Sequence, residues 1–138
     1  MRALHRFVAL PRARKRLLLR SLLEVLRASV QVHVLRYSRP RHLGLEDVRH
    51  RYTYLVDDVV WAVSRMAAFV PGATCLVQAL AAQRLLLGSG HPARLCIGVH
   101  KSQGTPLLAH AWLELEGRII LGEYAGGQLV PLPLEDIR

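Results

Sequence analysis

Acidic residues are almost missing from the first third of this 138-residue chain. Residues 1–42 hold eleven Arg or Lys against one acid, Glu24. The remainder holds eight bases and nine acids, so the net charge of +9 belongs to the N-terminal third. Cysteine is scarce too. Two cysteines in a chain of this size do not form a disulfide framework; they read as reduced thiols, which suits a cytoplasmic protein. No apolar run reaches the roughly 18 residues of a membrane span. Residues 1–10 carry two Arg and too short an apolar run for a signal peptide, and Arg12-Ala13-Arg14-Lys15-Arg16 follows at once. There is no Gly-rich phosphate loop, no closely spaced cysteine pair for zinc, no internal repeat and no low-complexity linker. The basic segment lacks a nucleic-acid-binding motif or interleaved aromatics, which argues against nucleic acid as a partner. A solvated helix face or a docking surface for an acidic peptide or protein fits it better, and a membrane surface fits less well.

What is present suits one domain. Apolar residues make up 51% of the chain, enough for a core and too many for wholesale disorder. Leu19, Leu22, Leu23, Leu26, Val30 and Val34 recur at helical spacing and predict a helix over 16–37, entered near Pro11 and ended by Ser38-Arg39-Pro40. A second helix is expected over about 46–69, with Tyr54, Val59, Val63 and Met66 among its buried positions. Pro71-Gly72 breaks the chain, and a third helix follows over 74–87 with Thr74 as its cap. It is apolar nearly all round, as a central, buried helix is. Gly88-Ser89-Gly90 stops it. Strands are expected over 93–100, 107–116 and 118–121, with polar residues 101–106 and Gly117 at the turns and a final edge strand over 128–132. Helices first and an antiparallel sheet after give an α+β domain, with residues 1–54 as a basic helical region packing on a core of 55–138.

Two residues carry the candidate chemistry. Cys75 opens the central helix, where the dipole and unpaired N–H groups favour a thiolate. His110 sits in the strand Leu107 to Glu116 and could serve as base. Taken singly, a cysteine in an apolar run reads as a small core residue, and a histidine on an alternating strand as a half-buried structural one. Cys96, between Leu95 and Ile97, reads as core. If Cys75 and His110 meet, first-turn N–H groups could hold an oxyanion, with Gln78 one turn on as a side-chain donor. Glu123, across the turn at Gly117, is the candidate to orient the imidazole. Glu114 lies four residues along the strand from His110, roughly 13 Å at ~3.3 Å per residue, too far to do so. Metal ligands and cofactors are not implied.

Taken together, Thr74-Cys75-Leu76, Ala79-Leu80-Ala81, Leu86, Gly90, Ala93, Ile97-Gly98-Val99, Ala109-His110-Ala111-Trp112-Leu113-Glu114 and Gly117 form a connected pattern. Over residues 55–132 it resembles the transglutaminase-like cysteine proteases of lasso peptide biosynthesis, in their split, stand-alone form. The resemblance implies a transglutaminase-like or papain-like core and a Cys–His–acid triad that cuts the leader from a ribosomally made precursor peptide before a cyclase closes the macrolactam. Cys75 matches the nucleophile and His110 the base. The third member is usually Asp, and Glu123 stands nearest its place. No Gln precedes Cys75 at the oxyanion position of papain-like enzymes. Fused members carry a leader-recognition domain; residues 1–54 show no β-rich region for one, which implies a separate recognition protein, with the basic helix as a candidate docking surface. Acyl transfer on the same site and a non-catalytic peptide-binding module are the alternatives.

Overall fold

The computed structural model describes residues 10–34, 51–100, 108–124 and 130–132. Three helices precede a four-stranded antiparallel sheet: α1 (Arg12–His33), α2 (Val56–Ala67), α3 (Cys75–Gly88), β1 (Arg94–His100), β2 (Leu108–Leu115), β3 (Arg118–Leu121) and β4 (Val130–Pro131). The strand order is β3-β2-β1-β4. This is the α+β arrangement expected from the change of hydrophobic period near residue 90. Among the described residues no helix is long and apolar enough to cross a membrane.

Helix α3 is the centre. Val77, Ala79 to Ala82 and Leu85 to Gly88 are buried, which covers nearly its whole circumference. It packs on α1, α2, β1 and β2. Alternation along the strands decides what meets it. Leu95, Ala111 and Leu113 enter the core with α3, while Cys96, Gly98, His110, Trp112 and Glu114 occupy the other face of the same two strands. Within that second face Cys96 lies opposite Trp112 and Gly98 opposite His110. A side chain at Gly98 would come within 2.7 Å of the Trp112 ring, so the glycine is what lets the indole lie flat over β1. Glu116 and Gly117, with φ of 52° and 75°, make the tight turn into β3.

Two expectations need correction. The segment 51–55 forms neither helix nor strand, and 46–50 lie outside the described residues. The reason is a better use of its polar groups. The Arg51 and Tyr52 N–H groups both donate to the Gly88 carbonyl, at 2.8 and 3.0 Å, and His91 Nε2 donates to the Tyr54 carbonyl at 2.9 Å. The segment thus closes the last turn of α3, whose carbonyls would otherwise lack partners. Gly88 admits it, since a Cβ there would lie 2.9 Å from the Tyr52 ring. Arg20 of α1 covers the outside, its guanidinium 4.3 Å from the Tyr52 ring centroid and bonded to the Tyr54 hydroxyl at 3.1 Å. Of the buried positions expected for α2, Val59 and Val63 are fully buried, and Tyr54 and Met66 are half-buried.

The second correction concerns α1. It begins at Arg12, directly after Pro11, four residues before the predicted start. It ends at His33, and residues 35–37 of the expected helix lie outside the described ones. Its buried face is Leu17, Leu18, Ser21, Val25 and Ala28. The Leu19, Leu23, Leu26, Val30 and Val34 stripe, which the helical period picks out most readily, faces outward. Small Ser21 and Ala28, both fully buried, let the α1 backbone approach its neighbours, which a row of leucines would prevent.

The Ser21 hydroxyl is buried without a hydrogen-bond partner among the described residues. An unsatisfied buried hydroxyl costs about 1–3 kcal/mol. Ser21→Ala should therefore raise stability, by about 1 kcal/mol, in urea unfolding; a loss of stability would show that the hydroxyl is satisfied in solution.

Candidate active site

The approach to Cys75 is held by local chemistry. Pro71 and Gly72 turn the chain, Gly72 at φ 77°, a conformation that side-chain-bearing residues rarely adopt. The Thr74 N–H donates to the Gly72 carbonyl at 2.8 Å, and the Gln78 N–H to the Thr74 carbonyl at 3.0 Å. Thr74 is the cap, its hydroxyl accepting from the Val77 N–H at a long 3.5 Å. Gln78, expected as an oxyanion donor, donates its side-chain amide to the Ala73 carbonyl at 3.0 Å, so it braces the turn. A second brace comes from a residue the sequence did not single out. His33, at the last turn of α1, donates through Nε2 to the Gly72 carbonyl at 2.8 Å. No sequence signal links residues 39 positions apart.

Cys75 is the first residue of α3 and half-buried, resting against the core edge. The N–H groups of Cys75 and Leu76 lie in the first helical turn, where no intrahelical acceptor exists, and no acidic side chain occupies that turn. The result is a half-buried cysteine at the positive end of a buried helix, with no partner for the Cys75 and Leu76 N–H groups among the described residues.

His110 is half-buried on β2. Its Nε2 lies 2.6 Å from the Gly122 carbonyl oxygen. The Trp112 ring stacks beside it at 6.4 Å between centroids, and the Tyr124 ring lies 5.6 Å away at a tilt. Glu123, next in the chain, is exposed and makes no hydrogen bond or ion pair to a described residue. Glu114 is engaged elsewhere: its carboxylate accepts from Trp112 Nε1 at 2.9 Å and from Arg94 at 2.8 Å. Those two bonds, the indole's first, hold the Glu114 carboxyl below its ordinary pKa. Cys75 and His110 stand on elements that pack together, α3 and β2, but His110 lies on the face of β2 turned away from α3, and among the described residues no hydrogen bond joins the two.

A model of the transglutaminase-like superfamily matches residues 7–132. The chain belongs to the transglutaminase-like superfamily. The match takes in α1 as well as the sheet, which agrees with Leu17, Leu18, Val25 and Ala28 sharing one core with α3. No curated protein and no solved structure matches the chain. Membership in the superfamily supports, in general terms, an activity of the cysteine-protease or acyltransferase type. Within this transglutaminase-like domain the two thiols differ in setting. Cys96 is buried, and burial pushes its thiol pKa up, with the Glu114 carboxylate adding to the effect.

Cys96 should accordingly alkylate slowly with iodoacetamide at neutral pH in the folded protein and quickly once guanidinium unfolds it. Equal rates in the two states would contradict its burial. Glu114 has a pH signature of the opposite sign. Its folded pKa is lowered, so its contribution to stability is present above the unfolded value of about 4.3 and is lost as pH falls through the folded value. The destabilisation caused by Glu114→Gln should therefore shrink in urea titrations as the pH is taken down past 4.3, and a gap that widened there would refute the assignment.

Proposed function

We propose that the chain is a cysteine peptidase that removes the leader from a ribosomally made lasso precursor peptide. The observation that carries the reading is the placement of Cys75. It is the half-buried first residue of the buried helix, in the turn whose N–H groups have no intrahelical acceptor, in a superfamily member that also bears the His-Ala-Trp strand. The resemblance of residues 55–132 to the lasso leader peptidases supplies the substrate class.

In this mechanism His110 takes the proton of the Cys75 thiol, and the thiolate attacks the scissile carbonyl carbon. The carbonyl oxygen becomes an oxyanion held by the Cys75 and Leu76 N–H groups. The imidazolium returns its proton to the departing amine as the C–N bond breaks, which frees the N-terminus of the core peptide. Water, deprotonated by His110, then attacks the thioester carbon, and the leader leaves with a free carboxylate. The freed amine is the group a macrolactam cyclase would acylate. Glu123 is the acid that the family pattern offers for orienting the ring.

A peptide of this kind has to be presented. We assign that task to a separate leader-recognition protein, with α1 as its docking surface. Five large apolar side chains, Leu19, Leu23, Leu26, Val30 and Val34, are exposed along α1, and Arg16, Arg20 and Arg27 lie along the same outer surface. A face both apolar and basic suits an acidic, amphipathic partner segment.

Cys75→Ala should abolish cleavage of the precursor peptide supplied with its recognition protein, while Cys96→Ala keeps most of the activity. Cleavage that persisted in Cys75→Ala would remove the mechanism. Mass spectrometry of the product separates the two chemistries of the superfamily: hydrolysis leaves a free carboxylate on the leader, and acyl transfer leaves a new amide.

A further inference from the structure

We propose that His33 is a positioning residue for Cys75: the N–H that it extends from the end of α1 to the Gly72 carbonyl fixes the turn from which the thiol is presented. Its role rests on the reading of Cys75 as the nucleophile. His33 is exposed, yet its ring is engaged, with Nε2 2.8 Å from the Gly72 carbonyl oxygen. A carbonyl oxygen only accepts, so Nε2 carries a hydrogen and donates it. It does so in the protonated ring as well as in that neutral tautomer, so the contact is a brace that survives protonation. The same carbonyl accepts the Thr74 N–H at 2.8 Å. One oxygen thus joins the end of α1 to the cap of α3, immediately before Cys75.

Gly72 makes such a brace necessary. Its φ is 77°, and glycine holds either sign of φ at little cost, so residue 72 does not by itself fix where its carbonyl points. The local bonds are a weak substitute. The Thr74 hydroxyl meets the Val77 N–H at 3.5 Å, longer than a well-formed bond. The Gln78 amide holds the Ala73 carbonyl, one peptide further on, and Gln78 belongs to α3 itself. Among the described residues His33 is the side chain whose hydrogen bond ties this turn to another element. That element is anchored, since Leu17, Leu18, Val25 and Ala28 of α1 lie in the common core. With the brace in place, the N–H groups of Cys75 and Leu76 keep one direction. Without it the Gly72 turn gains other conformations, the first turn of α3 loosens, and the thiolate of Cys75 loses part of the favourable helix end.

The test compares His33→Leu, His33→Asn and His33→Gln in the full chain. Iodoacetamide is the probe, and modification is read at the Cys75 peptide by mass spectrometry. His33→Leu removes the donor. His33→Gln carries an amide N–H to about the reach of Nε2, and His33→Asn falls short of it. At neutral pH the rate should drop by about two- to fivefold in His33→Leu and His33→Asn, the range of a charge at a helix end, and return to the parent rate in His33→Gln. Slow modification of Cys96 in the same samples shows that the fold is retained. A His33→Leu protein that reacts as fast as the parent overturns the proposal. So does a His33→Gln protein as slow as His33→Leu, or equal rates in His33→Asn and His33→Gln. If His33→Leu does not fold, the two amides decide alone.

In leader cleavage, His33→Leu should lose kcat by a similar factor with KM unmoved. A change confined to KM would make His33 a substrate-binding residue and overturn the positioning role. Alkylation is read without substrate, so the two readings fail separately. A protein that shows the expected pattern of rates yet cleaves no leader would sink the peptidase reading and leave the His33 brace standing. A parent that cleaves, with variants that all alkylate alike, would do the reverse.

Discussion

Helix α3 carries apolar side chains on nearly every side, and such a helix is stable only when other elements cover it. In this domain α1, α2 and the β1–β2 face all do so. Burial of a Leu or Val side chain contributes about 1.5–3 kcal/mol, and α3 buries Val77, Leu80, Leu85, Leu86 and Leu87 together with small residues that let its neighbours approach. The remaining elements are arranged by that demand. The non-helical 51–55 segment closes the far end of α3, where the Gly88 carbonyl takes two N–H donors.

The near end of α3 is built differently. Covering a helix along its length leaves its first turn at the margin of the core, with N–H groups that the helix itself cannot satisfy. Cys75 occupies that margin. The turn before it is held by four separate groups: the Thr74 hydroxyl, the Gln78 amide, the Gly72 backbone and, from a distant helix, the His33 ring. A first turn braced from several directions keeps its donors aimed at one point, which is what a site handling a developing negative charge requires. The imidazole of His110 is held with the same economy, by one carbonyl and two aromatic rings.

Helix α1 shows how one element can serve two purposes. It has two apolar faces. The one containing Ser21 and Ala28 is buried, because close helix packing needs small side chains at the contact. The one containing Leu19, Leu23 and Leu26 is left outside beside a row of arginines. Exposed leucines along one helix face carry a solubility cost, which a binding surface accounts for better than a purely solvated face does. The same helix reaches the Cys75 turn through His33, so a partner bound on α1 would sit on an element in direct contact with the proposed active site.

Much of this was legible in the sequence. The change from helical to strand period near residue 90 announced the α+β order, and the all-round apolar pattern of 74–87 announced its central helix. Thr74 before Cys75 and the His-Ala-Trp strand marked the two candidate site residues, since capping and strand alternation are local matters. The sequence could not say which apolar face of α1 would be buried, because that choice rests on how closely a backbone may approach residues far along the chain. Nor could it show residues 51–55 leaving the helix, since their hydrogen-bond partners lie at Gly88 and His91. The same holds for the group beside His110. Reading along the chain points to Glu123, an acid near the expected place. Only the folded sheet shows that a glycine at positive φ turns its own carbonyl to the ring one residue earlier, a placement set by backbone contact between strands.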